Sequence, residues 1–397
     1  MKMKVYPEIM EEAFAPLRRM AKQEFDAYLL VKAKSPAMAL MQATNITLKN
    51  INYQSAVLEE IAFHVIDADF NQDFVRQWSG DMLVKGIHRH LKEFSGEAAA
   101  NSFITDCWQR ASWKKAGRKV YEVSPGLAEH LTNTEVHNVQ TEFVNLPFNT
   151  ICVQVPWQAK LELPGRIADR MIKTHPDSKL VPIGTQAVNC IMVSATVDMY
   201  EGIATKVWQV TIVSDGQHGI IDGIPDFACY SFPVPFFEGK TIEDCIKYRR
   251  KMVDNMKKEL YPDPIWEVYF KWILNFVLYL SYEPAVAMEE IISNKDYRLL
   301  KERIIKLPPG EKKKRLNERL RSTPKNERLY VGRGFPRVPT HSEPGSGKPL
   351  TVRTMVTGHW RNQAFGTGRQ EHKLIWIRPF WRGPMHMEEH NPRRIAT

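Results

Sequence analysis

The densest chemistry in the chain lies near its C-terminus. It runs through Gly358-His359-Trp360-Arg361-Asn362-Gln363, Phe365-Gly366-Thr367-Gly368-Arg369 and Ile375-Trp376-Ile377-Arg378-Pro379-Phe380-Trp381-Arg382-Gly383. Guanidinium planes and indole faces stack on unpaired bases, and cationic side chains contact phosphates. His359, Trp360, Arg361, Arg369, Trp376, Arg378, Trp381 and Arg382 are therefore candidate contacts for RNA or the ribosome. A second reading uses the same residues: the tryptophans pack this segment onto a folded body, and the arginines rim the contact. The two readings are compatible.

Other motifs carry less. Gly345-Ser346-Gly347-Lys348 lacks the first glycine of a phosphate-binding loop, because Ser342 stands there, and Pro349 replaces the hydroxyl residue that would hold magnesium. Gly366-x-Gly368 has Glu371 in place of its third glycine and follows no βαβ strand, so it is not a dinucleotide fingerprint. His88-x-His90 and His386-x3-His390 have metal-compatible spacing but no Cys or acidic set beside them, and read as surface histidines. No G-x-S-x-G elbow occurs and no Cys has a nucleophile context. The expectation is a binding protein with no cofactor, no metal and no catalytic residue. The rivals are a plain RNA-binding accessory protein of a mobile element and a metal-dependent ribonuclease whose acidic ligands converge only in the fold.

Charge is unevenly spread. From Lys295 onward there are 24 Lys and Arg against nine Asp and Glu; the preceding residues hold 31 against 36. An acidic body with a basic appendage suits a polyanionic partner, and the alternative is a solubilising tail. The five cysteines are scattered and never form C-x-x-C, which fits a reducing compartment. Met1 to Glu12 lacks the apolar core of a signal peptide, and the apolar run Trp272–Tyr282 is shorter than the roughly 20 residues a membrane span needs. The expected location is the cytoplasm of the host cell, with no membrane partner.

The elements that must position these residues follow from periodicity. Residues 8–115 repeat near 3.6 and read as about four helices, within a helical region at 1–140. A body at 145–294 changes period. Asn149–Val155 is a short apolar strand, Cys190–Tyr200 alternates, and Glu201-Gly202 turns it into an antiparallel partner holding Trp208, Val210 and Ile212. Phe227–Phe232 adds another strand, and Thr241 with Asp244 caps a helix. A second helix from Ile265 is apolar nearly all round and belongs at the centre of the core. Residues 295–350 form two short basic helices and a Pro/Gly-rich linker, and 351–397 a basic Trp/Arg-rich segment. The fold class is α+β: a helical N-terminal region, a central antiparallel sheet with a buried apolar helix, and a basic C-terminal extension.

Gly358-His359-Trp360, then Gly366-Thr367-Gly368, then a basic Trp-containing strand resembles the end of a type V-A anti-CRISPR family carried by phages and plasmids. Three further blocks fall in the same order. They are Asn145-Leu146-Pro147 before an apolar strand, Pro233-x-Pro235-Phe236 before a helix, and an apolar helix ended by Glu283-Pro284. The resemblance covers roughly 145–383. It implies a protein that lowers production of the type V-A RNA-guided nuclease by recognising its nascent N-terminal polypeptide, with loss of the mRNA, rather than one that blocks the assembled enzyme. Glu283 is the candidate peptide contact. A carboxylate at a helix C-terminus opposes the macrodipole and asks for a cation, which is either the peptide or an internal Lys or Arg.

Overall fold

The apolar periodicity of the first 115 residues resolves, among the described residues, into six helices: α1 (Tyr6–Ala13), α2 (Ala15–Lys34), α3 (Pro36–Thr47), α4 (Ile51–Val65), α5 (Met82–Ser95) and α6 (Glu97–Lys115). The computed structural model describes residues 6–66, 80–95, 97–156, 162–163, 186–221, 224–255, 265–282, 288–292, 295–322, 327–338, 340–341, 353–382 and 389–390. Ser35 starts α3 by accepting from the Met38 N–H with Pro36 in the first turn, and Asn50 starts α4 by accepting from Tyr53. Each cap satisfies an N–H that the helix itself leaves unpaired. Phe25, Tyr28, Val57, Leu58, Ile61, Leu83, Ile87 and Trp108 close the core of this region.

After α6 the chain enters β1 (Val120–Val123), α7 (Pro125–Thr132) and β2 (Thr134–Glu135), then β3 (Thr150–Gln154) and β4 (Glu162–Leu163). The long strands β5 (Gln186–Tyr200), β6 (Ile203–Ile221) and β7 (Ile224–Phe236) follow. Glu201 and Gly202 both have positive φ, 51° and 80°, the conformation of a two-residue turn whose twist matches the flanking strands. That turn fixes the register Tyr200↔Ile203 through Ala195↔Trp208.

Next come α8 (Ile242–Asn255), α9 (Ile265–Tyr282), β8 (Met288–Ile292), α10 (Lys295–Ile305), α11 (Glu311–Ser322) and β9 (Glu327–Val331). The expected cap of α8 is reciprocal: the Thr241 N–H donates to Asp244 at 3.0 Å, and the Asp244 N–H donates back to the Thr241 hydroxyl at 3.3 Å. The sheet runs β7-β6-β5-β3-β1-β9-β8, with β4 also pairing β5. It is mixed rather than purely antiparallel. The β7-β6-β5-β3 half is antiparallel, whereas β1 lies parallel to both β3 and β9.

Two strands sit where composition pointed elsewhere. β1 falls inside the stretch read as helical, and β9 inside the stretch read as linker. β9 is short and lies between Pro- and Gly-rich segments, so its neighbours masked its alternation. Its Arg328 is nevertheless buried, paired with Glu8 of α1 and Glu122 of β1 and donating to Gln154 of β3 at 3.2 Å.

As its sequence predicts, α9 is buried nearly all round. Trp266, Phe270, Trp272, Ile273, Phe276 and Val277 join Trp208, Phe232 and Phe236 of the sheet in one core. The chain closes with β10 (Thr340–His341), β11 (Arg353–Val356), β12 (Gly358–Phe365), β13 (Glu371–Ile377), β14 (Phe380–Arg382) and β15 (Glu389–His390). β12 and β13 form a hairpin joined to β2; β10, β14, β11 and β15 form a separate small sheet.

Candidate recognition surface at the C-terminal hairpin

The hairpin β12–β13 sets Trp360 directly across from Trp376, and alternation then decides which residues face the body. Trp360 and Leu374 are buried in the main core, while His359 and Arg361 on the same strand are exposed. The two indoles stack with centroids 5.8 Å apart and planes at 15°. Both N–H groups find partners, as buried indoles require. Trp360 donates to the Asn275 side-chain oxygen at 2.8 Å, and Trp376 to the Thr134 hydroxyl at 3.1 Å.

Asn275 is the latch. It sits on the central helix α9, 1% exposed, and its amide also donates to the carbonyls of Leu131 and Thr134 at 3.0 and 2.8 Å. This one amide of the central helix thus holds α7, β2 and the C-terminal hairpin together. Nothing in the helical periodicity singled out Asn275; a lone amide within a continuous apolar run was the available signal.

A second layer surrounds Trp376. Phe335 stacks on it at 6.1 Å and 22°, Tyr279 and His130 meet it edge-on, and the Arg378 guanidinium lies 4.8 Å from the Phe335 ring centre. Burial, and after it the Arg378 charge, pulls the His130 imidazole down to about 4, so it is neutral at physiological pH. Gly358 permits this docking. A Cβ there would lie 2.6 Å from Pro379 and 2.8 Å from the Ile377 carbonyl, closer than real Cβ atoms approach anything.

The candidate contacts therefore separate. Trp360, Trp376 and Arg378 are brought together against α9 and the Phe335 loop. His359 and Arg361 project from the outer face of β12, and Arg369 projects from the hairpin tip at φ 56°. Trp381 is buried with Val338 and Met355 in the small sheet, beside the exposed Arg382. The packing role is thus filled by Trp360 and Trp381, and the exposed cations are left as the groups that can meet phosphate. Glu283 lies outside the described residues.

Where the hairpin meets β2, Glu135, His137, Asn138, Thr357, Gly358, His359 and Trp360 line a recess of about 240 Å³. The His137 ring hydrogen-bonds Glu243 of α8 at 2.5 Å, and the Ile242 N–H donates to Val139 at 2.9 Å, so α8 fixes one wall. The recess offers imidazole, carboxylate and amide groups beside one indole. No sequence motif marked residues 135–138 for this recess. Among the described residues no three His, Cys, Asp or Glu side chains are grouped so as to hold a metal ion, and no helix is long and apolar enough to cross a membrane.

No curated protein matches the sequence. A crystal structure of AcrVA2 aligns with a TM-score of 0.44 at 12% identity, covering 95% of this chain and 99% of that one. The model of the AcrVA2-like family matches residues 121–383 and so takes in the sheet from β1, the latch helix α9, the recess and the whole C-terminal hairpin. With about two thirds of its length matched from the first sheet strand to the last basic motif, the chain belongs to the anti-CRISPR type V subtype A2 (AcrVA2-like) family.

Proposed function

We propose that the protein is a counter-defence binding protein of a mobile element, acting in the host cytoplasm. It engages the N-terminal polypeptide of a type V-A CRISPR nuclease as that chain emerges from the ribosome, and the message being translated is lost. It acts by binding rather than by catalysis. The observation that carries the reading is the family match, which spans both the recess beside β12 and the cation-bearing hairpin. The recess is the peptide seat: Glu135 and the Glu243-paired His137 suit a segment bearing an amine or a basic side chain. Glu283, the residue that follows Tyr282 in sequence, is a second contact. The exposed His359, Arg361, Arg369, Arg378 and Arg382 meet ribosomal or messenger RNA, and Trp360, Trp376 and Trp381 hold them in place.

Calorimetric titration of the full chain with synthetic peptides from the nuclease N-terminus tests the peptide arm. Binding should weaken on Glu283→Gln without a fall in melting temperature, and should weaken on Glu135→Gln. Absence of heat at high micromolar peptide, for the nuclease of every plausible host, would refute it. A stability loss in Glu283→Gln with peptide affinity intact would instead assign that carboxylate to an internal ion pair.

A further inference from the structure

The basic C-terminal quarter divides in the structure, and among the described residues the larger share of its exposed charge without an ion pair is not on the hairpin that carries the tryptophans. It is on α10 and α11. Residues 295–322 contain eleven Lys and Arg against four Asp and Glu. Arg298, Lys301, Arg303, Lys306, Lys312 and Arg315 are exposed, and among the described residues none of these six forms an ion pair. Other cations of the two helices are engaged: Lys314 sits 3.6 Å from Glu311, Lys313 donates to the Leu307 carbonyl at 3.0 Å, and Arg319 also has a partner.

Placement makes this more than a solvated charge run. α10 is pinned to the sheet margin, with Leu300 and Ile304 buried and the helix packed on the edge strand β8. Pro308-Pro309-Gly310 then turns the chain tightly into α11. On α11, Lys312 and Arg315 are three residues apart, so they stand about 5–6 Å apart along one face. That interval suits successive phosphates of a nucleic-acid strand. Leu299 and Ile305 are 53% and 70% exposed among the cations of α10. Water gains nothing from them there, whereas the sugars and base faces of an unpaired strand offer apolar cover.

We infer that α10–α11 is an RNA-docking surface, in which the exposed cations bind the phosphate backbone without reading sequence. The inference deepens the function proposed above and rests on it only for the source of the RNA. It assigns the main electrostatic contact to a helical element, with the exposed arginines of the β12–β13 hairpin as a lesser one.

The test uses the full chain and a fluorescent single-stranded oligouridylate, with affinity measured over a salt series. On single strands the slope of log K against log salt is about −0.7 for each phosphate neutralised. Reversing Lys312 and Arg315 together to Glu should flatten the slope by at least about 1.4 and weaken low-salt binding more than tenfold, at unchanged melting temperature. Arg361→Glu should flatten it by no more than about 0.7. Peptide titration of the Lys312/Arg315 variant should match the parent, so a failed RNA arm leaves the peptide arm standing. Unchanged RNA affinity and slope in that variant would overturn the inference. So would normal RNA binding combined with lost binding to phosphatidylserine vesicles, which would assign the surface to a membrane.

Discussion

Trp360→Ala is expected to cost roughly 3–5 kcal/mol of folding stability, the range for removing a buried large aromatic side chain. Three losses coincide there. A cavity opens in the main core, Trp376 loses its stacking partner, and the Asn275 oxygen loses the donor that sits 2.8 Å from it. Trp360→Phe keeps most of the ring but strands the amide, and should cost about 1–3 kcal/mol. Arg361→Ala, one residue further on the exposed face, should stay within about 0.5 kcal/mol. Urea unfolding followed by far-ultraviolet circular dichroism measures all three. A loss below about 1 kcal/mol for Trp360→Ala would show that the hairpin is not latched to α9 as described.

The second large effect is acid lability centred on Glu59. This side chain is 2% exposed. Its carboxylate accepts from Arg110 Nε at 2.6 Å, is paired with Lys114, and lies 3.7 Å from Arg18 Nε. Arg110 also donates to Ser55 at 2.7 Å and to the Tyr6 hydroxyl at 2.6 Å, and Tyr6 donates on to Asp106 at 2.6 Å. The network joins α1, α2, α4 and α6.

Burial alone would raise the Glu59 carboxyl; the charges of Lys114, Arg110 and Arg18 outweigh it and hold it at about 2. The Lys114 amine moves down because its burial outweighs Glu59. A depressed carboxyl stabilises the fold above its unfolded value near 4.5, and that contribution is lost as pH falls toward about 2. Glu59→Gln should remove this part of the acid dependence and cost roughly 3–5 kcal/mol at neutral pH, because buried cations are left uncompensated. Thermal melts of parent and variant between neutral and strongly acid pH decide the matter. Parallel curves would exclude Glu59 as the titrating group.

The helices of residues 8–115, the Glu201-Gly202 turn, the capping box at Thr241 and the all-round burial of α9 were legible because each rests on local chemistry. β1 and β9 were not, since a four- or five-residue strand in the middle of a sheet has too few positions to show a period. The C-terminal motif was legible as a cluster of Trp and Arg, but its division into buried and exposed members was not. That division depends on the pairing of Trp360 with Trp376 and on Asn275 reaching them from 85 residues away in sequence. The recess at Glu135–Asn138 had no signature for the same reason: one wall comes from β12 and its support from α8.

Under the proposed function the nuclease is recognised as a polypeptide while it is being made. The most direct measurement is nuclease protein and message level in cells expressing this protein, with the first codons of the nuclease gene altered in two ways. Synonymous recoding, which changes the RNA and keeps the peptide, should leave both levels suppressed. Frameshifting the same segment and restoring the frame downstream, which changes the peptide and nearly preserves the RNA, should release both. Suppression that follows the RNA sequence, or unchanged nuclease levels accompanied by inhibition of the purified enzyme, would rule out recognition of the nascent polypeptide.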